Sequence, residues 1–238
     1  MTSSDAPAKG AAGPAGAEPS AARQSQEAAL RPVPFLRNRP LQAIAAAYAA
    51  VWLWSAVAPK YRSDWLLENL LIFAFVPLLA ATYRRFRFSN VSYGLIAAFL
   101  ALHSYGAHYT YSETPFGFWL KDTLDLSRNH YDRLVHFGFG LFMTYPVREL
   151  GLRVLHLRGG WSWSVPFLIV LALSADYELV ESWVARIVSP DLGIAFLGIQ
   201  GDVWDAQKDM NAAQVGGLVA LAIAWAWWRW RGREAWRG

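Results

Sequence analysis

The chain has 238 residues, of which 55% are hydrophobic and 17% are charged, and its formal net charge is +4. Soluble domains have about 25% charged residues, so this composition favours an integral membrane protein with the lipid bilayer as its partner. The arginines are spread through the segments between apolar stretches, so the charge does not indicate nucleic-acid binding. The absence of cysteine excludes disulfides, thiolate metal ligands and a cysteine nucleophile.

Residues 1–30 are mostly Ala, Gly, Pro and Ser, with few large apolar side chains. Such a segment cannot bury enough apolar surface to offset the entropy of folding, so it is predicted to be a disordered cytoplasmic tail. No apolar stretch follows the initiator Met, which argues against a cleaved signal peptide. The expected organisation is this tail, a transmembrane domain at 31–230, and a basic cytoplasmic tail at 231–238.

Six later stretches are apolar enough to cross a membrane, which takes about 20 residues of helix. They lie at 41–58, 65–82, 90–109, 132–150, 163–186 and 209–229. The second is short, and its start is ambiguous because polar residues follow its first Trp. The fold class predicted from this pattern is all-α, a polytopic membrane protein with six transmembrane helices.

Arginine clusters flank alternate ends of these six stretches. They are Arg31, Arg37 and Arg39, then Arg84, Arg85 and Arg87, then Arg148, Arg153 and Arg158, and finally Arg229, Arg231, Arg233 and Arg237. The positive-inside rule places such clusters in the cytoplasm, so both termini are predicted to be cytoplasmic. The outer loops are then 59–64, 110–131 and 187–208, and 13 of the 18 acidic residues fall on the outer side.

Polar residues in the predicted spans converge on the outer half of the membrane. They are Glu68 and Asn69, His103 and His108, Asp132 and His136, Asp176, Glu178 and Glu181, and Asp205 and Asp209. A carboxylate at mid-bilayer costs roughly 2.5–3.5 kcal/mol on insertion scales, so ionisable groups inside a membrane usually mark a functional site. We therefore interpret these residues as the lining of a polar pocket that opens to the outer face.

Helical spacing places several of these groups on common faces. Asp132 and His136 are four residues apart, and Glu178 and Glu181 are three apart. Carboxylates and imidazoles from facing helices are the usual ligands of metal sites in helical bundles. A divalent metal ion is therefore a candidate cofactor. Its candidate ligands are Asp132, His136, Glu178, Glu181, Asp205 and Asp209, and the candidate catalytic residues are Glu181, Asp209 and His136.

Each of these assignments has a simpler structural alternative. Asp132 can pair with Arg133 or cap the N-terminus of its helix. His136 can be an ordinary hydrogen-bonded core residue, and His103 can bond only to a neighbouring helix. Asp202, Asp205 and Asp209 line one stripe only if the last helix begins early, and Lys208 can neutralise one of them.

The same segments resemble a known family. Gly106–Tyr111, Tyr131–Phe137, Tyr177–Ser182 and Gly198–Met210 are similar to the YjdF-like bacterial inner-membrane proteins, a domain of unknown function. The resemblance covers roughly residues 40–230 and is most specific in the Gly-Asp-x-Trp-Asp-x-Gln-x-Asp-Met stretch. A looser resemblance, to VanZ-like membrane proteins, rests on Asp132, Arg133, His136 and Phe137, with Arg where that pattern has Lys.

The resemblance implies a location in the bacterial inner (plasma) membrane but no reaction. Residues in the resembling segments are the expected contacts for a substrate, namely Arg133, His108, Tyr111, Trp204 and Gln207. Three functions stay open. The first is a metal-dependent site that acts on or binds a lipid headgroup or a cell-envelope precursor. The second is a cation- or proton-coupled transporter, and the third is a non-catalytic protein whose buried polar network is structural.

Overall fold

The computed structural model of the chain describes residues 34–197 and 200–234. Both ranges are all-α and contain no strand, as the sequence predicts. The chain divides into two units, Met1–Pro34 and Phe35–Gly238. The predicted tail 1–30, residues 235–238 of the basic tail, and the first two residues of the Gly198–Met210 motif lie outside the described residues.

Residues 34–197 and 200–234 form eight α-helices. They are α1 (Arg39–Ala56), α2 (Arg62–Thr82), α3 (Asn90–Tyr109), α4 (Pro115–Thr123), α5 (Tyr131–Arg153), α6 (Trp161–Ile187), α7 (Pro190–Leu197) and α8 (Asp205–Arg231). The six long helices match the six predicted apolar stretches to within four residues at each end. The short helices α4 and α7 lie where the sequence predicts only loops. Among the described helices, three are long and apolar enough to cross a membrane, namely α2, α6 and α8.

Hydrogen bonds join three connecting segments at one end of the helices. The Lys60 amide donates to the His108 carbonyl at 2.9 Å, and the Lys60 ammonium pairs with Glu113. The Gln200 side-chain amide donates to the Asn129 carbonyl at 2.9 Å. We call this end, formed by segments 57–61, 110–130, 188–197 and 200–204, the acidic end.

The opposite end contains the other connections and both limits of the described chain. The side-chain nitrogen of Asn38 donates to the side-chain oxygen of Asn90 at 2.9 Å, and the Arg153 guanidinium donates to the carbonyl of Arg87 at 2.7 Å. Arg148 makes a double hydrogen bond with Glu234, at 2.5 and 3.0 Å. We call this end, formed by segments 34–38, 83–89, 154–160 and 232–234, the basic end. The six long helices therefore alternate in direction between the two ends.

Helix α5 is the central element, because it packs against α3, α6 and α8. Its closest neighbour is α8, and glycines make that approach possible. A Cβ built on Gly140 would lie 1.9 Å from the Ala213 carbonyl oxygen, and one on Gly216 would lie 2.1 Å from the Phe137 oxygen. The backbones of α5 and α8 are therefore in direct contact.

A buried carboxylate organises the basic end. Glu149 on α5 is fully buried and accepts hydrogen bonds from the Ser89 amide and hydroxyl, both at 2.8 Å, and from the Ser92 hydroxyl at 2.5 Å. It also pairs with Arg153. Ser89 is the N-cap of α3, so Glu149 fixes the start of α3 against the end of α5.

Candidate functional site

The start of α5 is positioned by Asn129, a buried residue that the sequence analysis missed. Its side-chain oxygen accepts from the amide of Tyr131 at 3.0 Å, and its side-chain nitrogen donates to the Thr114 carbonyl at 3.1 Å. A Cβ on Gly117 would overlap the Asn129 side chain, so α4 can pack there only because that position is glycine. These contacts set the direction in which α5 enters the helices.

Three side chains then converge where α5 faces α8. Asp132 and His136 lie on one face of α5, and Asp209 reaches them from α8. The three offer ligand atoms that all lie within 4.8 Å of one another. We call these three residues the ligand triad. His136 and Asp209 are buried, and Asp132 is nearly so.

Helix α6 contributes acidic groups to the triad. The Oε1 atom of Glu178 lies 3.4 Å from the Nε2 atom of His136, which is itself 3.6 Å from the Oδ1 atom of Asp132. Glu181 is buried one turn further along α6. Oε1 of Glu178 and Oδ1 of Asp209 are buried without a hydrogen-bond partner among the described residues. Buried carboxylate oxygens of this kind are normally satisfied by a hydrogen bond, a proton or a cation, so both atoms are suited to serve as cation ligands.

Arginines occupy the acidic-end side of the triad. Arg133 pairs with Asp202 at 2.5 Å and with Asp205 at 3.3 Å, and its Nε lies 3.9 Å from Oδ1 of Asp209. Arg128 pairs with Asp205 as well. Asp205, predicted as a metal ligand, is thus placed between two guanidinium groups instead of in the triad. Sequence reasoning missed Arg128 because a basic residue in a loop has no periodicity to mark it.

The ion pairs also decide the simpler alternatives for Asp132 and Lys208. Arg133 forms its ion pairs with aspartates of α8 and of the segment before it, and the N-cap of α5 is His130. The reading of Asp132 as a helix cap is therefore wrong, since Asp132 lies inside the first turn. Lys208 does neutralise Asp202, at 2.7 Å, as expected. Because α8 begins at Asp205, Asp202 lies outside the helix, and the predicted stripe on α8 is reduced to Asp205 and Asp209.

A second set of polar residues lies beside the triad and connects α2, α3 and α6. His103 donates through Nε2 to the Glu68 carbonyl at 2.9 Å, and its Nδ1 accepts from the Tyr111 hydroxyl. The Tyr177 hydroxyl lies 3.5 Å from the carboxylate of Glu68, and the Tyr177 ring contacts that of His136. His103 therefore bonds to a neighbouring helix, as the simpler alternative expected. Glu68 is a buried acid that the ligand predictions omitted.

The remaining predicted substrate contacts are spread more widely. The His108 Nδ1 atom donates to the Ser55 carbonyl at 3.0 Å, and its ring stacks on Trp54, so it belongs to the contact between α1 and α3. Trp204 and Gln207 are exposed at the acidic end. Two of the predicted contacts lie near the triad. Tyr111 bonds to His103, which lines the same cavity as Asp132 and His136. The Nε atom of Arg133 lies 3.9 Å from Oδ1 of Asp209.

A cavity of about 240 Å³ adjoins the ligand triad. Its polar wall is formed by Asp132, His136, His103, Tyr111, Tyr177 and Ser174. Its other walls are apolar, formed by Leu71, Phe75, Phe99, Val135, Phe139, Met143 and Leu173. The site thus combines a compact set of oxygen and nitrogen ligands with an apolar chamber.

Comparisons with known proteins agree with the YjdF-like resemblance. A family described as "Predicted membrane protein (DUF2238)" matches residues 40–230. The chain is 37% identical over 174 residues to "Inner membrane protein YjdF" of Escherichia coli (strain K12), which covers 72% of this chain and 82% of that protein. No solved structure matches. The looser VanZ-like resemblance stays a prediction.

Proposed function

The chain belongs to the DUF2238 family of predicted membrane proteins, and on that premise we propose that it is an inner-membrane protein with an outward-facing divalent-metal site. The site acts on or binds a polar group of a lipid or cell-envelope molecule. The inner-membrane location follows from similarity to the Escherichia coli protein.

Six spans are supported by helix length and by exposed apolar surface. The shortest of the six long helices has 18 residues, which corresponds to about 27 Å at 1.5 Å per residue. Leu78, Leu168, Leu218 and Ile223 are each more than half exposed, as expected of side chains that face lipid. Helices α1, α3 and α5 complete the set of six, and α5 keeps its polar residues inside. The described arginines of these clusters lie at the basic end, which the positive-inside rule assigns to the cytoplasm.

The ligand triad is the single observation that carries the metal proposal. Three ligand atoms within 4.8 Å of one another are close enough to share one ion. Carboxylate and imidazole ligands suit Zn, Mn or Fe. Glu178 supplies a further oxygen 3.4 Å from His136, and no described arginine or lysine pairs with it. An ion at this position would satisfy the buried oxygens of Glu178 and Asp209.

The chemistry expected of such a site is Lewis-acid chemistry. A bound divalent ion polarises a phosphoryl or carbonyl oxygen, or activates a water molecule. Glu181 is buried beside the triad without being one of its members, so it is the candidate general base. Arg133, held by Asp202 and Asp205, places a guanidinium group on the acidic-end side of the site.

A structural network is the second candidate, and one observation favours it. Arg128, Arg133 and Lys208 already compensate Asp202 and Asp205, so part of the acidic cluster is balanced without any metal. The transporter alternative has less support, because the buried acids of the described chain other than Glu149 gather toward one end of the helices, whereas transport usually needs polar groups through the full depth.

Metal binding separates these candidates. Purified protein in detergent is incubated with Zn²⁺ or Mn²⁺, desalted, and analysed for metal by mass spectrometry. We expect about one ion per chain in the wild type, and loss of that ion in His136→Gln and Asp209→Asn, because each removes one ligand of a shared ion. His156→Gln is the matched control, since His156 is an exposed histidine in segment 154–160.

The structural alternative predicts a different result. If the network is only structural, the wild type takes up no stoichiometric metal, and the two triad variants lower the unfolding temperature without changing metal content. A wild type that stays metal-free after incubation with both ions would overturn the proposed function.

A further inference from the structure

The cavity beside the ligand triad is elongated along the helices. On α5 its lining runs from Asp132 and His136 through Phe139 to Met143. From Asp132 to Met143 the helix rises by eleven residue steps, or about 16 Å at 1.5 Å per residue. That length is roughly half the hydrocarbon thickness of a bilayer. In a membrane-spanning protein the cavity is therefore a slot that runs parallel to the surrounding lipid chains.

Polarity changes along the slot. Its acidic-end part contacts Asp132 and His136, whereas its deeper part is lined by Phe75, Phe99, Phe139, Met143 and Leu173. A molecule that satisfies both parts has a polar group joined to a hydrocarbon chain. Water alone does not satisfy the deeper part, because apolar cavities of this kind stay dry or hold apolar ligands.

The slot reaches the lipid-facing surface between α2 and α6. Leu173 on α6 lines the slot and is nevertheless 46% exposed. In the described part of the chain, α2 and α6 are not among the helix pairs that pack extensively, and the hydrogen bond between Tyr177 and Glu68 joins them near the triad. Deeper in the membrane, the gap between α2 and α6 gives a hydrocarbon chain sideways access.

We propose that this slot binds the hydrocarbon chain of an amphiphilic lipid and presents its headgroup to the ligand triad. We call the cavity segment lined by Leu71, Phe75, Phe99, Phe139, Met143 and Leu173 the chain slot. An apolar cavity of roughly 150 Å³ holds one benzene-sized ligand. The cavity of about 240 Å³ is therefore large enough for a segment of one chain and too small for two chains.

The headgroup half of the proposal rests on the proposed metal site, and the chain half does not. Acidic side chains outnumber basic ones around the triad. The basic group there is Arg133, and the acidic groups are Asp132, Glu178, Glu181 and Asp209. An anionic headgroup such as a phosphate therefore needs the metal ion to bind there. The substrate class is a lipid that carries one chain in the slot and a phosphate at the ion.

Photo-cross-linking tests the chain slot. The full-length protein is placed in vesicles of phosphatidylglycerol and phosphatidylethanolamine that contain a trace of lysophosphatidic acid with a diazirine in its chain. After irradiation, cross-linked peptides are mapped by mass spectrometry. We expect labels at Phe99, Phe139 and Met143, and competition by excess unlabelled lysophosphatidic acid.

Two neighbouring residues on α2 provide matched variants. Leu71→Trp adds bulk inside the slot, and we expect it to lower slot labelling about tenfold, the change that ~1.4 kcal/mol of lost binding produces. Leu70→Trp adds the same ring on the lipid-facing side, because Leu70 is 55% exposed, and should leave slot labelling unchanged.

The outcomes separate this proposal from the proposed function. The chain slot would be overturned if the labels spread evenly over lipid-facing residues such as Leu168 and Leu218, and if labelling were equal in the wild type and in Leu71→Trp. Metal content is measured on the same samples. Slot labelling in a protein that binds no metal supports the chain slot and refutes the metal site, whereas a metal-loaded protein without slot labelling refutes the chain slot alone.

Discussion

At the scale of residues, the buried acids of this protein are of two kinds. Glu149 at the basic end accepts hydrogen bonds from Ser89 and Ser92 and pairs with Arg153. Asp209 of the triad and Glu178 beside it each leave a buried oxygen without a hydrogen-bond partner among the described residues. A satisfied carboxylate stabilises the fold, whereas an unsatisfied one costs stability unless it binds a proton or cation. Substituting a carboxylate of the first kind should therefore lower the free energy of unfolding, whereas substituting one of the second kind, in protein without a bound cation, should raise it.

Glu149→Gln should destabilise the protein by about 3 kcal/mol, because it places an amide donor among hydrogen-bond donors and leaves Arg153 without its carboxylate. Thermal unfolding in detergent, followed by circular dichroism, measures this change. Asp122→Asn is the control, since Asp122 is exposed on α4 and should unfold at the wild-type temperature. An unchanged unfolding temperature in Glu149→Gln would contradict the assignment.

Asp202 predicts a dependence of stability on acid. The ammonium of Lys208 bonds to its carboxylate and, with the Trp204 amide and Arg133, holds the pKa of Asp202 below its usual value. Because the folded-state pKa is the lower one, this contribution is present above the unfolded pKa of about 4 and is lost as the pH falls below it. Unfolding temperatures from pH 7 to pH 3 should show Asp202→Asn less stable than the wild type at pH 7, and the difference should shrink toward pH 3. A constant difference would refute this coupling.

At the scale of elements, the site depends on how closely α5 and α8 approach. Gly140 and Gly216 leave no room for a Cβ between the two backbones. Asp209 on α8 meets Asp132 and His136 on α5 because of this contact. The helix pair is thus both the best-packed part of the fold and the frame of the ligand triad.

Gly140→Ala should separate α5 from α8, because the new Cβ would meet backbone atoms of Ala213 and Gly217 that cannot rotate away. We expect a loss of roughly 1–3 kcal/mol in stability, as in other overpacked cores, together with weaker metal binding. Gly94→Ala is the matched control, since the nearest atom to its Cβ, on Ile44, is 3.9 Å away. In a helix interior that change should stabilise by up to about 1 kcal/mol. Equal unfolding temperatures for the two variants would argue against the close packing of α5 and α8.

The sequence predicts local features of this arrangement better than distant ones. Apolar stretches locate all six long helices, and the spacing of Asp132 and His136 predicts a shared face, because both patterns are set by helix geometry alone. The place of Asp205 between two arginines and the role of Asn129 are not predictable in this way. They depend on which loop residues meet after folding, and loops carry no periodic signal.

At the scale of the Phe35–Gly238 unit, charge is divided between two ends. The acidic end holds the triad and its arginines, and the basic end holds Glu149, Arg148 and both limits of the described chain. The alternating helices account for this division, since an even number of long helices returns the chain to the end where it began. The proposed orientation puts the acidic end outside the cytoplasm, where a lipid headgroup of the outer leaflet can reach it.

Cysteine labelling tests this orientation, since the chain has no native cysteine. Asp122→Cys lies at an exposed position of α4 at the acidic end, and Arg84→Cys lies at an exposed position of segment 83–89 at the basic end. A membrane-impermeant maleimide added to spheroplasts should label Asp122→Cys, and should label Arg84→Cys only after the membrane is permeabilised. The reverse pattern would invert the proposed topology and place the triad on the cytoplasmic side.

The central claim is that one metal ion binds the ligand triad, and an anomalous difference map tests it most directly. Crystals grown with Zn²⁺ would be measured at the zinc absorption edge. We expect one strong peak among the carboxylates of Asp132 and Asp209 and the imidazole of His136. A map with no peak at the triad, from protein that retains its native fold, would contradict it.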